Sequence, residues 1–263
     1  MKVSGANVLL TGATGGIGQA IARAVAGEGA KLLLTGRRTD VLEPLASELD
    51  ARALAVDLAE AGEVERLVSE AGEVDILIAN AALPATGALD TFTAREIDRA
   101  LDVNLRAPIA LTHALLPGML SRGRGHLVFV SSLSGKAATP VSLMYTTTKF
   151  GLRGFAAGLR IDLRNSGVGV TTVLPGFIRD AGMFAVTGAK LPPGVGTRTP
   201  EDVARATIRG IERNKGEVDV APLPVRVGAM IASVAPELGA AVSRRSGGDE
   251  IAEAMAAGQA GMR

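Results

Sequence analysis

The chain has 263 residues, 28 basic against 27 acidic side chains for a formal net charge of +1, no cysteine and 33 glycines. A charge so near zero argues against a nucleic-acid binder that depends on a basic field. The lack of cysteine excludes a disulfide scaffold and thiolate metal sites. A hydrophobic share of 47% beside 21% charged residues describes a folded globule rather than a disordered chain, yet no apolar run reaches the ~20 residues of a membrane span.

In chain order, short apolar runs alternate with longer Ala-rich helical stretches. Val8-Leu9-Leu10 leads through a Gly-rich turn into a helix ending near Gly29. Leu32-Leu33-Leu34, Ala53-Leu54-Ala55-Val56, Ile76-Leu77-Ile78, Leu127-Val128-Phe129-Val130 and Val170-Thr171-Thr172-Val173 follow, separated by helical patterns. Two of those patterns, over about 95–120 and 141–165, are long. Continuous apolar strands with helices between them predict a doubly wound α/β fold of Rossmann type, its parallel sheet covered by helices on both faces. One dinucleotide-binding and catalytic domain is expected over 1–224, with a C-terminal helical extension over 225–263. Polar Thr11-Gly12 arrives too early for a signal peptide, and a cytoplasmic protein is expected.

Residues 180–198 contain four glycines and two prolines interspersed with Met183, Phe184, Val186 and Leu191, the composition of a lid. Thr199-Pro200-Glu201-Asp202 then reads as a helix start, with Thr as N-cap and Pro in the first turn. From 225 to 242, Val227, Ile231, Val234, Leu238 and Val242 recur at helical spacing before Arg244-Arg245. Such a helix packs on the body or across a dimer; the second reading is an amphipathic helix making weak contact with a membrane surface. His113 and His126 are isolated and read as structural, and no metal-ligand cluster is present.

Thr11-Gly12-Ala13-Thr14-Gly15-Gly16-Ile17-Gly18 follows the first strand and opens the first helix. Glycines there allow a tight turn and close approach of a pyrophosphate to free backbone N–H groups at the helix start. This places Gly12, Thr14, Gly16, Ile17 and Gly18 in a cofactor cradle. The second strand ends Thr35-Gly36-Arg37-Arg38, without the carboxylate that would hold a ribose 2′-hydroxyl and repel a 2′-phosphate. Two guanidiniums in its stead favour NADP(H).

The single tyrosine, Tyr145, lies four residues before Lys149 in a helical segment, so both face the same way. An ammonium beside a phenol is expected to lower its pKa and make it a general acid/base. Ser132 stands at a strand end, where its hydroxyl can orient a reacting oxygen. Asn104 precedes Pro108 by four residues, and Pro108 has no N–H to give the Asn104 carbonyl. That carbonyl is left either as a simple kink or as a water site in a proton relay.

Together these residues resemble the short-chain dehydrogenase/reductase family in its compact form, over roughly residues 5–220. Thr11-Gly-x-x-x-Gly16-x-Gly18, Asn80-Ala81-Ala82, Asn104, Ser132, Tyr145-x-x-x-Lys149 and Pro175-Gly176 match its motifs. The resemblance implies a catalytic set of Asn104, Ser132, Tyr145 and Lys149. It further implies that Lys149 and Tyr145 touch the nicotinamide ribose, Asp57 and Leu58 flank the adenine, and Asn80, Ala81, Pro175, Gly176 and Ile178 border the cofactor. Homodimers or homotetramers are common in the family. Two positions depart from its pattern: Asp180 follows where Thr is common, and Gly15 stands where many NADP users carry a basic residue. The expected activity is interconversion of a hydrophobic ketone or aldehyde with its alcohol. Leu83, Leu133, Met144, Phe177, Met183 and Phe184 are the candidate pocket residues. A cofactor-binding regulator without turnover is the alternative.

Overall fold

The structure is a computed structural model that describes residues 1–189, 191, 195–245, 248–259 and 261, apart from the side chains of Val242, Ser243 and Arg245. The lid positions 190 and 192–194, and 246–247, 260 and 262–263 of the extension, lie outside the described residues, as does the side chain of Val242. Seven strands, β1 (Asn7–Leu10), β2 (Lys31–Gly36), β3 (Arg52–Ala55), β4 (Ile76–Ala79), β5 (Gly125–Val130), β6 (Val168–Pro175) and β7 (Glu217–Val220), form one parallel sheet ordered β3-β2-β1-β4-β5-β6-β7. Every residue of β4, β5 and β6 is buried, which is why those segments read as unbroken apolar or Thr-bearing runs. β1 pairs with β2 on one side and β4 on the other. The chain therefore reverses its winding direction there and opens a crevice at the carboxyl ends of these strands.

One face is covered by α1 (Gly16–Gly27), α2 (Thr39–Glu48) and α8 (Pro200–Glu212), whose Ile21, Ala22, Val25, Leu42, Val203 and Ala206 pack on Val8, Leu10, Ile78 and Val128. The other is covered by α3 (Glu63–Ala71), α5 (Ala107–Ser121) and α6 (Leu143–Asp162) through Leu67, Leu111, Leu115, Leu152 and Ala156. α4 (Ala94–Leu101) runs into α5 through a single π-turn, Asp102–Arg106, in which the Ala107 N–H reaches back to the Asp102 carbonyl. Wide turns of this kind accommodate a position that cannot donate in the ordinary ladder, as Pro108 cannot. α7 (Gly182–Ala185) is a short turn inside the expected lid. α8 starts as its sequence predicts: the Thr199 hydroxyl accepts from the Asp202 N–H, and the Asp202 carboxylate accepts from the Thr199 N–H.

One strand and one helix differ from the sequence pattern. β7 is an edge strand whose acids and partial exposure hide its period, so it is absent from the apolar runs. The stretch 225–242 is not one helix. α9 (Leu223–Val234) stops at Ala235, whose φ of −132° and ψ of 77° are extended as expected before a proline. α10 (Pro236–Arg245) then begins, followed by α11 (Gly248–Gln259). Val227, Ile231, Val234 and Leu238 do not face the body either: they are 46%, 41%, 82% and 56% exposed, and Ala229 and Val225 make the packing contact with Leu133, Leu174 and Ala221. Among the described residues no helix is long and apolar enough to cross a membrane.

Candidate active site

The turn after β1 is built by its neighbours as much as by its glycines. The Thr11 hydroxyl accepts from the backbone N–H groups of Asn80 and Ala81, both at 3.1 Å, and the Asn80 amide returns two bonds to the Thr11 and Gly12 carbonyls. Gly12 has a φ of +68°, and a Cβ there would lie 2.6 Å from the Ala81 Cα, so only glycine fits between β1 and β4. Gly15 caps α1 without any side-chain bond, no acidic residue occupies the first turn, and Gly15, Gly16 and Ile17 reach the surface. Free N–H groups at an uncapped, glycine-lined helix start are a cradle for an anion such as a pyrophosphate. Ala181 lies directly against Gly16, so the segment after β6 forms the opposite wall.

At the end of β2, Arg37 and Arg38 are exposed. Arg38 donates to the Thr14 carbonyl, which fixes the guanidinium against the turn, while Arg37 stands 3.8 Å from the Asp57 carboxylate. Asp57 is held more tightly by Arg99 at 2.6 Å, and although burial raises its carboxyl, the Arg99 and Ala59 bonds hold it below the usual range. Arg99 belongs to α4 and carries no motif; only the tertiary fold brings it to Asp57. Leu58 is half-buried beside Asp57. Gly36 is closed by Thr14, whose Cγ2 would be 2.7 Å from an added Cβ.

Ser132 leaves β5 in extended conformation, φ −164°, its hydroxyl accepting from the Ser134 N–H at 3.1 Å and donating to the Pro175 carbonyl at 3.4 Å. The same hydroxyl lies close enough to the Tyr145 phenol to act on its titration, lowering it. Lys149, 2% exposed, donates to the Val130 carbonyl at 3.1 Å and places its ammonium 5.5 Å from the Tyr145 ring centroid. Adjacent Ser131 donates to the Lys149 carbonyl. Asn104 is fully buried: its amide oxygen accepts from the Leu83 N–H at 2.7 Å and its nitrogen donates to the Leu83 carbonyl at 2.9 Å. Asn104 thereby pins the loop after β4, whose Ala85 carbonyl accepts from the Tyr145 N–H.

The expected acidification of the phenol is overturned. Tyr145 sits among Ala85, Ala100 and Met144, and that burial pushes its pKa up, opposed only by the Ser132 hydroxyl. Burial likewise pushes the Lys149 amine down to about 8. Desolvation disfavours both charged forms, and each group keeps its neutral form longer than in water. The candidate pocket residues Leu83, Leu133 and Met144 are buried and Phe177, Met183 and Phe184 half-buried around this set, with the Phe177 and Phe184 rings 5.1 Å apart. Gly176 and Ile178 extend β6 past Pro175, and Ile178 bridges to Arg198. His126, by contrast, lies inside the sheet, its Nε2 2.8 Å from the Thr171 hydroxyl.

A parallel sheet reversing direction at an uncapped glycine turn, with a Ser–Tyr–Lys set at its carboxyl edge, defines a dinucleotide-fold oxidoreductase. The comparisons agree. Residues 6–191 match the family model described as short chain dehydrogenase. "Ketoacyl reductase HetN" of Nostoc sp. is 33% identical over 232 residues, covering 85% of this chain and 81% of the relative. "Dehydrogenase/reductase SDR family member 7B" of Bos taurus is 35% identical over 246 residues, 84% of this chain and 75% of that protein. A short-chain dehydrogenase from Sphingobium yanoikuyae, solved in complex with NADPH, superposes with a TM-score of 0.76 at 27% identity, covering 88% and 94% of the two chains. The chain belongs to the short-chain dehydrogenase/reductase family.

Proposed function

We propose that this protein is an NADPH-dependent reductase of a hydrophobic ketone or aldehyde, able to run in the alcohol-oxidising direction as well. The observation that carries the reading is the Ser132 hydroxyl beside the Tyr145 phenol, with the buried Lys149 amine 5.5 Å from the phenol ring centroid. The NADPH bound to the Sphingobium relative supports the cofactor assignment, as do Arg37, Arg38 and the absence of an acid at the end of β2.

The residues present fit such a cofactor. The uncapped start of α1 at Gly15, Gly16 and Ile17 would take the pyrophosphate, Arg37 and Arg38 the 2′-phosphate, and Asp57 with Leu58 the adenine edge. Gly12, Thr14, Gly18, Asn80 and Ala81 shape the cradle, with Pro175, Gly176 and Ile178 opposite. When bound, the nicotinamide supplies a hydride for the carbonyl carbon. The chain's own part is to hold the carbonyl oxygen and give it a proton. Ser132 presents its hydroxyl from a backbone fixed by Ser134 and Pro175. Tyr145, a phenol protonated at neutral pH and pushed further that way by burial, is the proton donor. Lys149 titrates near 8, so it exchanges protons at working pH and recharges the phenol. Asn104 holds the loop that fixes the Tyr145 backbone; its own carbonyl, spared by Pro108, is the water site of the relay.

Tyr145→Phe removes one oxygen and leaves the packing. Its kcat for NADPH-dependent ketone reduction is expected to fall by about 10³, within the ~10²–10⁴ supplied by general acid–base groups. NADPH affinity, read by fluorescence titration, should stay within about threefold. Near-normal turnover in this variant refutes the assignment.

A further inference from the structure

Gln259 ends α11 with 1% of its surface exposed, an unusual place for an uncharged amide unless both of its ends are used. Both are. Its Oε1 accepts from the Thr86 hydroxyl at 2.7 Å, and its Nε2 donates to the Met183 carbonyl at 2.9 Å. Thr86 belongs to the loop after β4 that Asn104 pins and whose Ala85 carbonyl holds the Tyr145 N–H. Met183 belongs to α7, on the segment after β6 that lies against Gly16 and packs Phe184 on Phe177. One side chain, 173 residues from the first partner and 76 from the second, thus ties the two walls on either side of the candidate site. The backbone approach is equally close: a Cβ on Gly258 would lie 2.8 Å from the Thr187 Cα, so the last turn of α11 rests directly on the chain following α7.

We propose that the last turn of α11 is a strap across the substrate cleft, and that Gln259 is a specificity-determining positioning residue that sets the distance between the β4 loop and α7. The strap rests on the reading of this site as a carbonyl-reducing cleft. Its consequence is selection by width: slender apolar carbonyl compounds enter between the two walls, whereas bulky ring systems need the walls to part. Nothing in this role touches the reacting atoms.

Gln259→Leu keeps the volume and loses both bonds; Thr86→Val keeps the shape and loses one. Hydrogen exchange of the peptide 181–188 in the cofactor-free protein should accelerate about tenfold in Gln259→Leu, the scale of one or two lost buried hydrogen bonds, with exchange in β4, β5 and β6 unchanged. Thr86→Val should accelerate it less, and the double variant no more than Gln259→Leu. In turnover, the kcat/KM ratio of 1-tetralone over 2-octanone should rise about fivefold or more through the KM of the ring ketone. Unchanged exchange at 181–188, a uniform rise across the sheet, or an unchanged ketone ratio overturns the strap. A wild type that reduces neither ketone refutes the functional reading instead, and exchange then decides the strap alone.

Discussion

The Tyr145–Lys149 pair is governed by where it sits more than by its mutual charge. With Lys149 at about 8 in the folded chain and near 10.4 when unfolded, the unfolded chain holds a proton between those values that the folded chain has released. Stability therefore climbs with pH across the window from 8 to 10. Tyr145, raised above its ordinary value, acts in the opposite direction only above about pH 10. Lys149→Met should flatten the climb, which amounts to about 2 kcal/mol in urea unfolding over those two pH units; a slope equal to that of the wild type refutes the burial argument. The partners of this pair were legible in sequence, because a spacing of four places both on one helix face and a serine at a strand end reaches the sheet's carboxyl edge. The direction of the shift was not legible, since it comes from Ala85, Ala100 and Met144, brought together by three separate elements. Arg99 on Asp57 and Gln259 on Thr86 were illegible for the same reason.

Among the elements, β5 and β6 show what a two-sided burial does to a polar residue. His126 on β5 is 1% exposed and bonded to Thr171 of β6, with Gly169 leaving room for its ring. Burial chiefly, and the positive N-terminus and Arg160 in addition, push it down to about 3. Between pH 6.5 and 3 the unfolded chain takes a proton that the folded sheet refuses, so stability falls as pH drops through that window. His126→Gln, which can still bond Thr171 but cannot titrate there, should recover roughly 3 kcal/mol at pH 4 relative to its own effect at pH 7. Acid unfolding followed by circular dichroism checks this, and an unmoved midpoint defeats it. Strands buried on both faces announce themselves as apolar runs, and β1, β2, β4, β5 and β6 were legible for that reason. β7, a four-residue edge carrying Glu217 and Asp219 in ion pairs with Lys136, has no such signature. The division of α9 from α10 was carried by Pro236 alone, against an apolar spacing that runs straight through it.

At the scale of the molecule, the proposed cofactor cradle is an assembly of distant parts: the α1 start, the β2 end, the β4 loop and the segment after β6. A ligand that binds only when these are assembled stabilises the whole fold by mass action, about 2.7 kcal/mol at a hundred times its Kd. Under the proposed NADPH reading, the discriminating contacts would be confined to Arg37 and Arg38, because the remainder of the cradle would grip either nicotinamide dinucleotide alike. Gly36 is a poor place to test this, since a side chain there would collide with Thr14 and disturb the turn itself. Arg37 and Arg38 are exposed and can be replaced without that side effect, although Arg38→Ala also gives up its bond to the Thr14 carbonyl. A double Arg37→Ala, Arg38→Ala variant should therefore keep the melting-temperature rise produced by NADH and lose most of the larger rise produced by NADPH at equal concentration. A loss of about 10–100-fold in NADPH affinity corresponds to one or two charge-assisted bonds to a phosphate. Differential scanning fluorimetry with both dinucleotides reads the two rises side by side. Equal losses for NADH and NADPH would mean that the arginines only shape the turn, and the 2′-phosphate would then have to be held elsewhere.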